Sequence, residues 1–152
     1  MSAETVSITL SQQSDYQFLV DFGPGIRTIV SDEPAPLGLN EGPAPSHMLV
    51  AAAANCLAAS LLFSLRKFKQ TPEPITAIAT GHMGRSPDGR LRMLSIDVGL
   101  TLGCPAEEMD HLQRVLDTFE QFCTVSQSIQ SGVKVNVSVQ DTEGKMLKAT
   151  EV

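Results

Sequence analysis

The sequence predicts an α+β fold in a single domain over residues 1–152, and two observations support it. Apolar and polar residues alternate before residue 32 and again after residue 75, a pattern typical of half-buried strands. Between these regions, residues 46–69 form a long apolar segment with cations only in its last turns. Such a segment indicates a helix covered on several sides. Because hairpins precede and follow it, largely antiparallel sheets are expected.

The strands can be placed from this alternation. The first contains Val6, Ile8 and Leu10, and SQQSD at 11–15 is predicted to form the turn that follows it. Further along the chain, SPDGR has the residues of a hairpin turn. A polar tail begins at about Asp141. The remaining predicted strands cover residues 16–22, 28–31, 75–83, 91–102 and 133–139.

Two long helices are predicted. Ser46 is placed to cap the first, which continues to about Lys69. Pro105 opens the second, whose core-facing stripe recurs at helical spacing, and a short helix is expected between Cys123 and Gly132. The order is β-β-β-α-β-β-α-β. One small sheet cannot cover a helix that is apolar all round, so a homodimer is expected. The stripe comprises Met109, Leu112, Val115, Leu116, Phe119 and Phe122.

Composition narrows the range of partners and locations. The net charge is −6, with no run of basic residues, so nucleic acid and anionic membrane surfaces are not expected as partners. The N-terminus lacks a basic region and a long apolar core, so we expect no signal peptide and a cytoplasmic protein. The apolar stretch 48–65 is interrupted by Asn55, Ser60 and Ser64, which favours a buried helix over a membrane span.

The segment between the third strand and the first helix is a predicted loop. Residues 32–45, DEPAPLGLNEGPAP, hold four prolines and two glycines. Proline removes backbone donors and disfavours helix before it. Long loops without periodic structure are often functional, and a plain connector is the alternative.

The three cysteines are the candidate reactive groups. An odd count without a CxxC pair argues against a disulfide framework and a structural zinc site. Cys56, in AAAANCLAASL, is either a small core residue or a nucleophile in dry surroundings. Cys104 and Cys123 each stand near a predicted helix N-terminus, where a thiolate is stabilised. If 106–122 is one helix about 25 Å long, only one of these two can lie beside Cys56, and the pattern does not decide which.

A thiolate in apolar surroundings requires a nearby cation or hydrogen-bond donor. No cation lies within one helical turn of Cys56. Arg66 lies about 15 Å further along the helix. Arg27, which precedes the proline-rich loop, is therefore the candidate activating residue, with a solvated strand-edge charge as the alternative.

An ordered set of features resembles a known family. A GPAP loop (42–45) precedes a small-residue helix with Cys56, a second cysteine follows at Cys123, and a valine-rich strand comes next. This order is similar to the OsmC/Ohr family, the osmotically inducible and organic hydroperoxide resistance proteins, and is closest to its broader OsmC-like branch. The resemblance implies an intertwined homodimer with two long helices at its centre, sheets outside and active sites at the subunit interface.

The resemblance also implies a chemistry. By position, Cys56 matches the peroxidatic cysteine and Cys123 the resolving one. Cys56 would reduce an organic hydroperoxide and become a sulfenic acid, and Cys123 would condense with it to a disulfide. A dithiol reductant, of lipoyl type or a small thiol, would reset the pair without metal, haem or flavin. This predicts a peroxidase of oxidative-stress defence. The alternatives are a non-enzymatic dimer that binds a small apolar ligand or senses oxidants, and a structural dimer with inert cysteines.

The sequence departs from the Ohr-like pattern at the activating residues. Ser46 stands where Ohr-like members have a Glu that fixes an activating Arg, and His47 follows it. The second cysteine is followed by Thr124 and not by proline. We hypothesise that Asp32-Glu33 replaces the missing carboxylate and holds Arg27.

Overall fold

A computed structural model describes residues 4–149 and confirms the α+β class. The chain divides into two compact units between Met48 and Leu49. The N-terminal unit holds a three-stranded sheet and the proline-rich loop. The C-terminal unit holds a four-stranded sheet, most of the long helix and the shorter helices.

The N-terminal sheet is antiparallel and has the order β1-β2-β3. The predicted turn at 11–15 is wrong, because β1 continues through it and the chain reverses at Asp15, which has φ 45°. The predicted half-burial of the first strand is also wrong, since every residue of β1 is exposed. β1 lies at the sheet edge, where polar side chains meet water and no alternation is required. The strands are β1 (Thr9–Ser14), β2 (Gln17–Asp21) and β3 (Ile29–Ser31).

The proline-rich segment is a loop organised around Asp32. Its buried carboxylate accepts hydrogen bonds from the backbone amides of Glu33, Leu39 and Glu41 at 2.8, 3.1 and 3.2 Å. Burial opposes ionisation, but these three amides outweigh it and hold the pKa of Asp32 below its ordinary value. Gly38 is required beside it, since a Cβ there would lie 2.1 Å from the Glu33 carbonyl oxygen.

The long helix α1 covers Pro45–Lys67, close to the predicted 46–69. Ser46 is not its cap, because the helix begins at Pro45 and Ser46 lies inside the first turn. Instead, His47 Nδ1 accepts a hydrogen bond from the Ala44 amide at 3.2 Å. This is the side-chain half of a capping box, in which the third helical residue reaches back to the cap.

The predicted cover of α1 on several sides is not present within the single chain. Among residues 4–149, α1 is the only helix long and apolar enough to cross a membrane by length and composition, and core helices of soluble proteins meet the same criterion. Of the most apolar 18-residue stretch of α1, 33% is buried. The buried face carries Ala53, Leu57, Ser60, Leu61, Ser64 and Leu65. The opposite face exposes Ala51, Ala52, Asn55 and Ala59.

The C-terminal sheet has the order β4-β5-β6-β7. The hairpin through SPDGR is confirmed, while β5 and β6 are parallel and so make the sheet mixed. The predicted polar tail contains a further strand, β7, which pairs antiparallel with β6. One face of the sheet supplies core residues such as Ile96, Val98 and Val137. The strands are β4 (Thr76–Arg85), β5 (Leu91–Thr101), β6 (Lys134–Gln140) and β7 (Met146–Ala149).

The predicted second long helix of the chain is wrong, because the segment after Pro105 is divided into short pieces. His111 has φ 60°, which no α-helix accommodates, and it separates the segment into pieces. The apolar stripe still marks buried positions, except that Leu112 is only partly buried and Phe122 is exposed. The pieces are 3-10 turns at Ala106–Glu108 and Phe119–Phe122, α2 (Leu112–Thr118) and α3 (Thr124–Ile129).

Candidate active site: a pair of thiols on the long helix

The structure brings Cys56 and Cys123 together. Cys56 lies in the middle of α1, at the border between its buried and exposed faces, and is partly exposed. Cys123 is the N-cap residue of α3 and is fully buried in the core cluster, against which Cys56 packs. The two side chains are hydrogen-bonding neighbours. The pair therefore combines one partly exposed cysteine with one that is buried.

The environment of Cys123 favours the protonated thiol. Burial is the largest cause that raises the pKa of Cys123, and the neighbouring Cys56 side chain raises it further. The hydroxyl and backbone of Ser126 oppose this effect, since both favour the thiolate. The net direction is upward, so Cys123 retains its proton at neutral pH while lying against Cys56.

Cys104 lies in a different place. Its Sγ is 3.9 Å from the Thr71 carbonyl oxygen, and Pro105, not Cys104, is the cap of the short 3-10 turn that follows. The predicted stabilisation of the Cys104 thiolate at a helix N-terminus is therefore wrong. Burial raises the pKa of Cys104, and the carboxylates of Glu108, Asp141 and Glu73 raise it further.

Within residues 4–149, one group of carboxylates lies close enough together to be considered for a metal ion. Glu107, Asp141 and Glu143 offer oxygens within 4.8 Å of one another. The buried Asp141, however, accepts hydrogen bonds from the backbone amides of Ala106, Glu143 and Lys145. These amides occupy the carboxylate oxygens of Asp141 as hydrogen-bond donors, so Asp141 organises the turn before β7.

A family model described as OsmC-like protein matches residues 38–138. This match covers most of the chain, including α1, both sulfurs of the pair and the β4–β5 hairpin. The chain belongs to the OsmC family. No curated protein is detectably similar to it in sequence.

Solved OsmC-like structures share the fold. An OsmC-like protein from Mycoplasma pneumoniae is 19% identical with a TM-score of 0.74, covering 92% of this chain and 99% of that one. An organic hydroperoxide resistance protein from Elizabethkingia anophelis is 18% identical with a TM-score of 0.72, covering 93% and 99%. An OsmC-like protein of unknown function from Vibrio cholerae is 16% identical with a TM-score of 0.73, covering 89% and 99%. At these identities the likeness establishes the fold.

The other predicted site residues of this OsmC-family chain belong to its N-terminal unit. Arg27 is exposed just before β3, and Glu33 is half-buried in the proline-rich loop. Among residues 4–149, no salt bridge joins Arg27 to a carboxylate, and the oxygens of Asp32 are used by backbone amides. Ser46 and His47 lie in the first turn of α1. Their roles in catalysis stay predictions.

Three residues that the sequence analysis did not assign to the site form one cation–aromatic contact. Phe122 precedes Cys123 in the chain, and Phe63 and Lys67 follow Cys56 on α1 by roughly two and three helical turns. Lys67 Nζ lies 4.6 Å from the Phe63 ring centroid and 5.1 Å from that of Phe122. Phe63 and Lys67 could have been identified from their spacing after Cys56. On a helix this spacing returns both residues to the side that carries Cys56.

Proposed function

We propose that this OsmC-family protein is a thiol peroxidase that reduces small organic hydroperoxides in defence against oxidative stress. Family membership supports the broad role in peroxide stress. The contact between the Cys56 and Cys123 side chains carries the mechanism, since a peroxidatic and a resolving thiol must meet to form a disulfide.

In the first step, the Cys56 thiolate attacks the terminal oxygen of the hydroperoxide. The S–O bond forms, the O–O bond breaks, and the departing alkoxide takes a proton to leave as an alcohol. Cys56 is oxidised to a sulfenic acid and the peroxide is reduced. A proton held by Cys123 favours this role for Cys56, because a protonated thiol can donate a hydrogen bond to the Cys56 thiolate.

In the second step, the Cys123 sulfur attacks the Cys56 sulfur. Cys123 first releases its proton to the solvent and attacks as the thiolate. The S–S bond then forms and the S–O bond breaks, while the departing hydroxide takes up a proton from the solvent and leaves as water. The burial of Cys123 supports this step, since it keeps competing thiols away from the resolving sulfur. Neither step requires a metal, haem or flavin.

A dithiol of lipoyl type or a small thiol then resets the pair by thiol–disulfide exchange. Cys56 is the partly exposed sulfur, so we expect the reductant to attack there and to release Cys123 first. A cytoplasmic location would supply such thiols. Arg27, with Glu33, is proposed to stabilise the Cys56 thiolate in place of the residues found in Ohr-like proteins, and Ser46 and His47 to contribute to substrate binding.

The proposal includes a homodimer. The exposed face of α1 carries small residues, and Ala51, Ala52 and Ala59 would let a second helix approach closely. Only 33% of the most apolar stretch of α1 is buried. The rest of this stretch leaves an apolar surface of a kind that monomeric soluble proteins usually cover. A second copy of the chain, placed against this face, would shield the thiol pair from water and favour apolar hydroperoxides over hydrogen peroxide.

The test is turnover of cumene hydroperoxide with dihydrolipoate as the reductant. Cys56→Ser should abolish turnover, Cys123→Ser should leave a sulfenic acid that dimedone traps, and Cys104→Ser should match the wild type. After one equivalent of peroxide, mass spectrometry should find a Cys56–Cys123 disulfide. Retained turnover in Cys56→Ser would refute the proposal, and a Cys56–Cys104 link would assign resolution to another residue. Reactive thiols without turnover would favour the non-enzymatic, oxidant-sensing alternative.

A further inference from the structure

We infer that His82, Asp97 and Asn136 form a binding site for a divalent transition-metal ion such as Zn²⁺. The three residues lie on the face of the C-terminal sheet that is turned away from the core, and each comes from a different strand. The site does not include the thiol pair, so this inference is independent of the proposed peroxidase activity.

The register of the sheet brings the three side chains together. Asp97 on β5 is paired with Asn136 on the parallel strand β6. His82 on β4 is paired with Ser95, which lies two residues before Asp97. Because successive side chains of a strand point to opposite faces, Ser95 and Asp97 share the face opposite the buried Ile96. His82 therefore reaches Asp97 across a diagonal of the sheet.

The contacts within the group meet at the Asp97 carboxylate. His82 Nε2 lies 2.7 Å from Asp97 Oδ2, and Asn136 Nδ2 donates a hydrogen bond to Asp97 Oδ1 at 2.7 Å. In the described strands β4, β5 and β6, Asp97 is the only acidic residue and His82 is the only histidine. A metal ion can take the place of the proton that these two side chains share.

The third ligand is the amide oxygen of Asn136. Among residues 4–149, this buried oxygen has no hydrogen-bond partner, and a buried acceptor without a donor is destabilising. Rotation of the amide about its last torsion angle exchanges the oxygen and the nitrogen. The oxygen would then face the Asp97 carboxylate, and two acceptors in contact require a cation between them.

A small movement of the side chains brings the site to metal-binding distances. At metal–ligand lengths of about 2.1 Å and a tetrahedral angle, the histidine nitrogen and the carboxylate oxygen are about 3.4 Å apart. From the observed 2.7 Å, the pair has to widen by about 0.7 Å. The side chains of His82 and Asp97 are 51% and 50% exposed, so they can move. They line an open groove of about 490 Å³, which admits water as a further ligand.

The donor atoms define the class of ion. One imidazole nitrogen and two oxygens suit Zn²⁺, Ni²⁺ or Cu²⁺, whereas Mg²⁺ and Ca²⁺ prefer oxygen ligands alone. The set contains no sulfur, so it differs from the cysteine-based zinc sites against which the cysteine count argues.

An ion pair that only stabilises the sheet is the alternative explanation. Pairs whose side chains are half exposed contribute little to stability, and this explanation leaves the Asn136 oxygen without a partner. Lys134 acts on Asp97 electrostatically. Among residues 4–149, however, no lysine or arginine forms a salt bridge with Asp97. The carboxylate is therefore available to a bound cation.

The experiment is a calorimetric titration of Cys56→Ser with Zn²⁺ alone, because this variant breaks the thiol pair, which would itself bind zinc. We expect one ion per chain. His82→Gln or Asp97→Asn in this background should weaken binding at least about tenfold, the smallest loss typical of an altered metal site. His111→Gln is the matched control, since His111 is exposed and stacks on Phe68, and it should bind zinc with unchanged affinity.

Two further measurements keep the inference open to refutation. Zn²⁺ should raise the Tm of Cys56→Ser and not that of its His82→Gln derivative, since an ion that binds only the folded state stabilises it. In the unsubstituted chain, which has three histidines, NMR should show that zinc shifts the ring signals of His82 alone. Absence of zinc binding, unchanged affinity in His82→Gln, or unshifted His82 signals would each overturn the inference.

Discussion

Lys148 Nζ lies 2.6 Å from a carboxylate oxygen of Glu120 and donates a hydrogen bond to the Leu116 carbonyl at 2.5 Å. The same ammonium group lies over the Phe119 ring. Glu120 also fixes the end of its 3-10 turn, since its carbonyl accepts the Cys123 amide at 3.1 Å. The strand β7 is thereby connected to the segment that carries the buried sulfur.

Replacing Lys148 with Gln should destabilise the protein. Lys148 is only 22% exposed and Glu120 only 29%, so the change leaves a mostly buried carboxylate without its cation. We expect the free energy of unfolding to fall by about 2 kcal/mol, as measured by urea denaturation. Lys145→Gln is the control, because Lys145 pairs with Glu107 at the surface and is 58% exposed. Its loss should stay below about 1 kcal/mol. Equal losses in the two variants would contradict the stabilising role of the Lys148 pair.

The rate of disulfide formation should rise with pH through the neutral range and beyond. The attacking species is the Cys123 thiolate, and the pKa of Cys123 is raised mainly by burial. Below that pKa each pH unit increases the thiolate fraction about tenfold, and no plateau is expected until the pH exceeds the ordinary cysteine range. Rapid mixing with one equivalent of peroxide, acid quenching and mass spectrometry would measure the rate.

Ser126→Ala provides the matched variant for this pH dependence. The Ser126 hydroxyl favours the Cys123 thiolate, so its removal should shift the rise to still higher pH. A rate that is independent of pH between about 7 and 9 would show that loss of the Cys123 proton does not limit the step.

Introducing charge on the exposed face of α1 should separate the proposed dimer. Ala59 is exposed on this face, and Glu at this position would bury a charge against the partner helix, which costs several kcal/mol. Sedimentation should show a dimer for the wild type and a monomer for Ala59→Glu. Pro87→Glu, which adds the same charge in the exposed turn between β4 and β5, should remain a dimer. A monomeric wild type would refute the proposed assembly.

Much of the fold could be predicted because apolar periodicity reports burial. The alternation Ile96, Val98, Leu100 and Leu102 identified β5, and the long apolar segment identified α1. Each element presents one face to the core, and burial determines the apolar positions of that face.

Secondary structure was predicted poorly from the sequence in segments whose backbone conformation does not depend on burial. The first strand was predicted around Val6, Ile8 and Leu10 but lies at Thr9–Ser14. Its residues are exposed, so no alternation of apolar and polar residues marks its true position. β7 was missed because polar residues surround it and its turn depends on the buried Asp141 carboxylate. The second helix was predicted too long because its apolar stripe is real, while the left-handed conformation of His111 has no apolar signature. Histidine is among the few residues that adopt this conformation with some frequency.

Two of the three cysteines could be assigned to one place only with the structure. The spacing argument relied on a helix from 106 to 122 that does not exist, although Cys104 and Cys123 do lie in different environments. The contact of Lys67 with Phe63 and Phe122 joins α1 to the segment before Cys123, and contacts between distant segments leave little trace in a single sequence.

The exposed β1 strand also affects how the protein behaves in concentrated solution. Its outer edge carries unpaired backbone groups, which in an apolar strand would act as a template for further strands. Here the register of β1 shifts between Gln12 and Ser14, and such an irregularity bends the strand and interrupts its regular edge. The chain thereby limits edge-to-edge polymerisation through its own surface, a contribution to colloidal stability that is independent of the thiol chemistry.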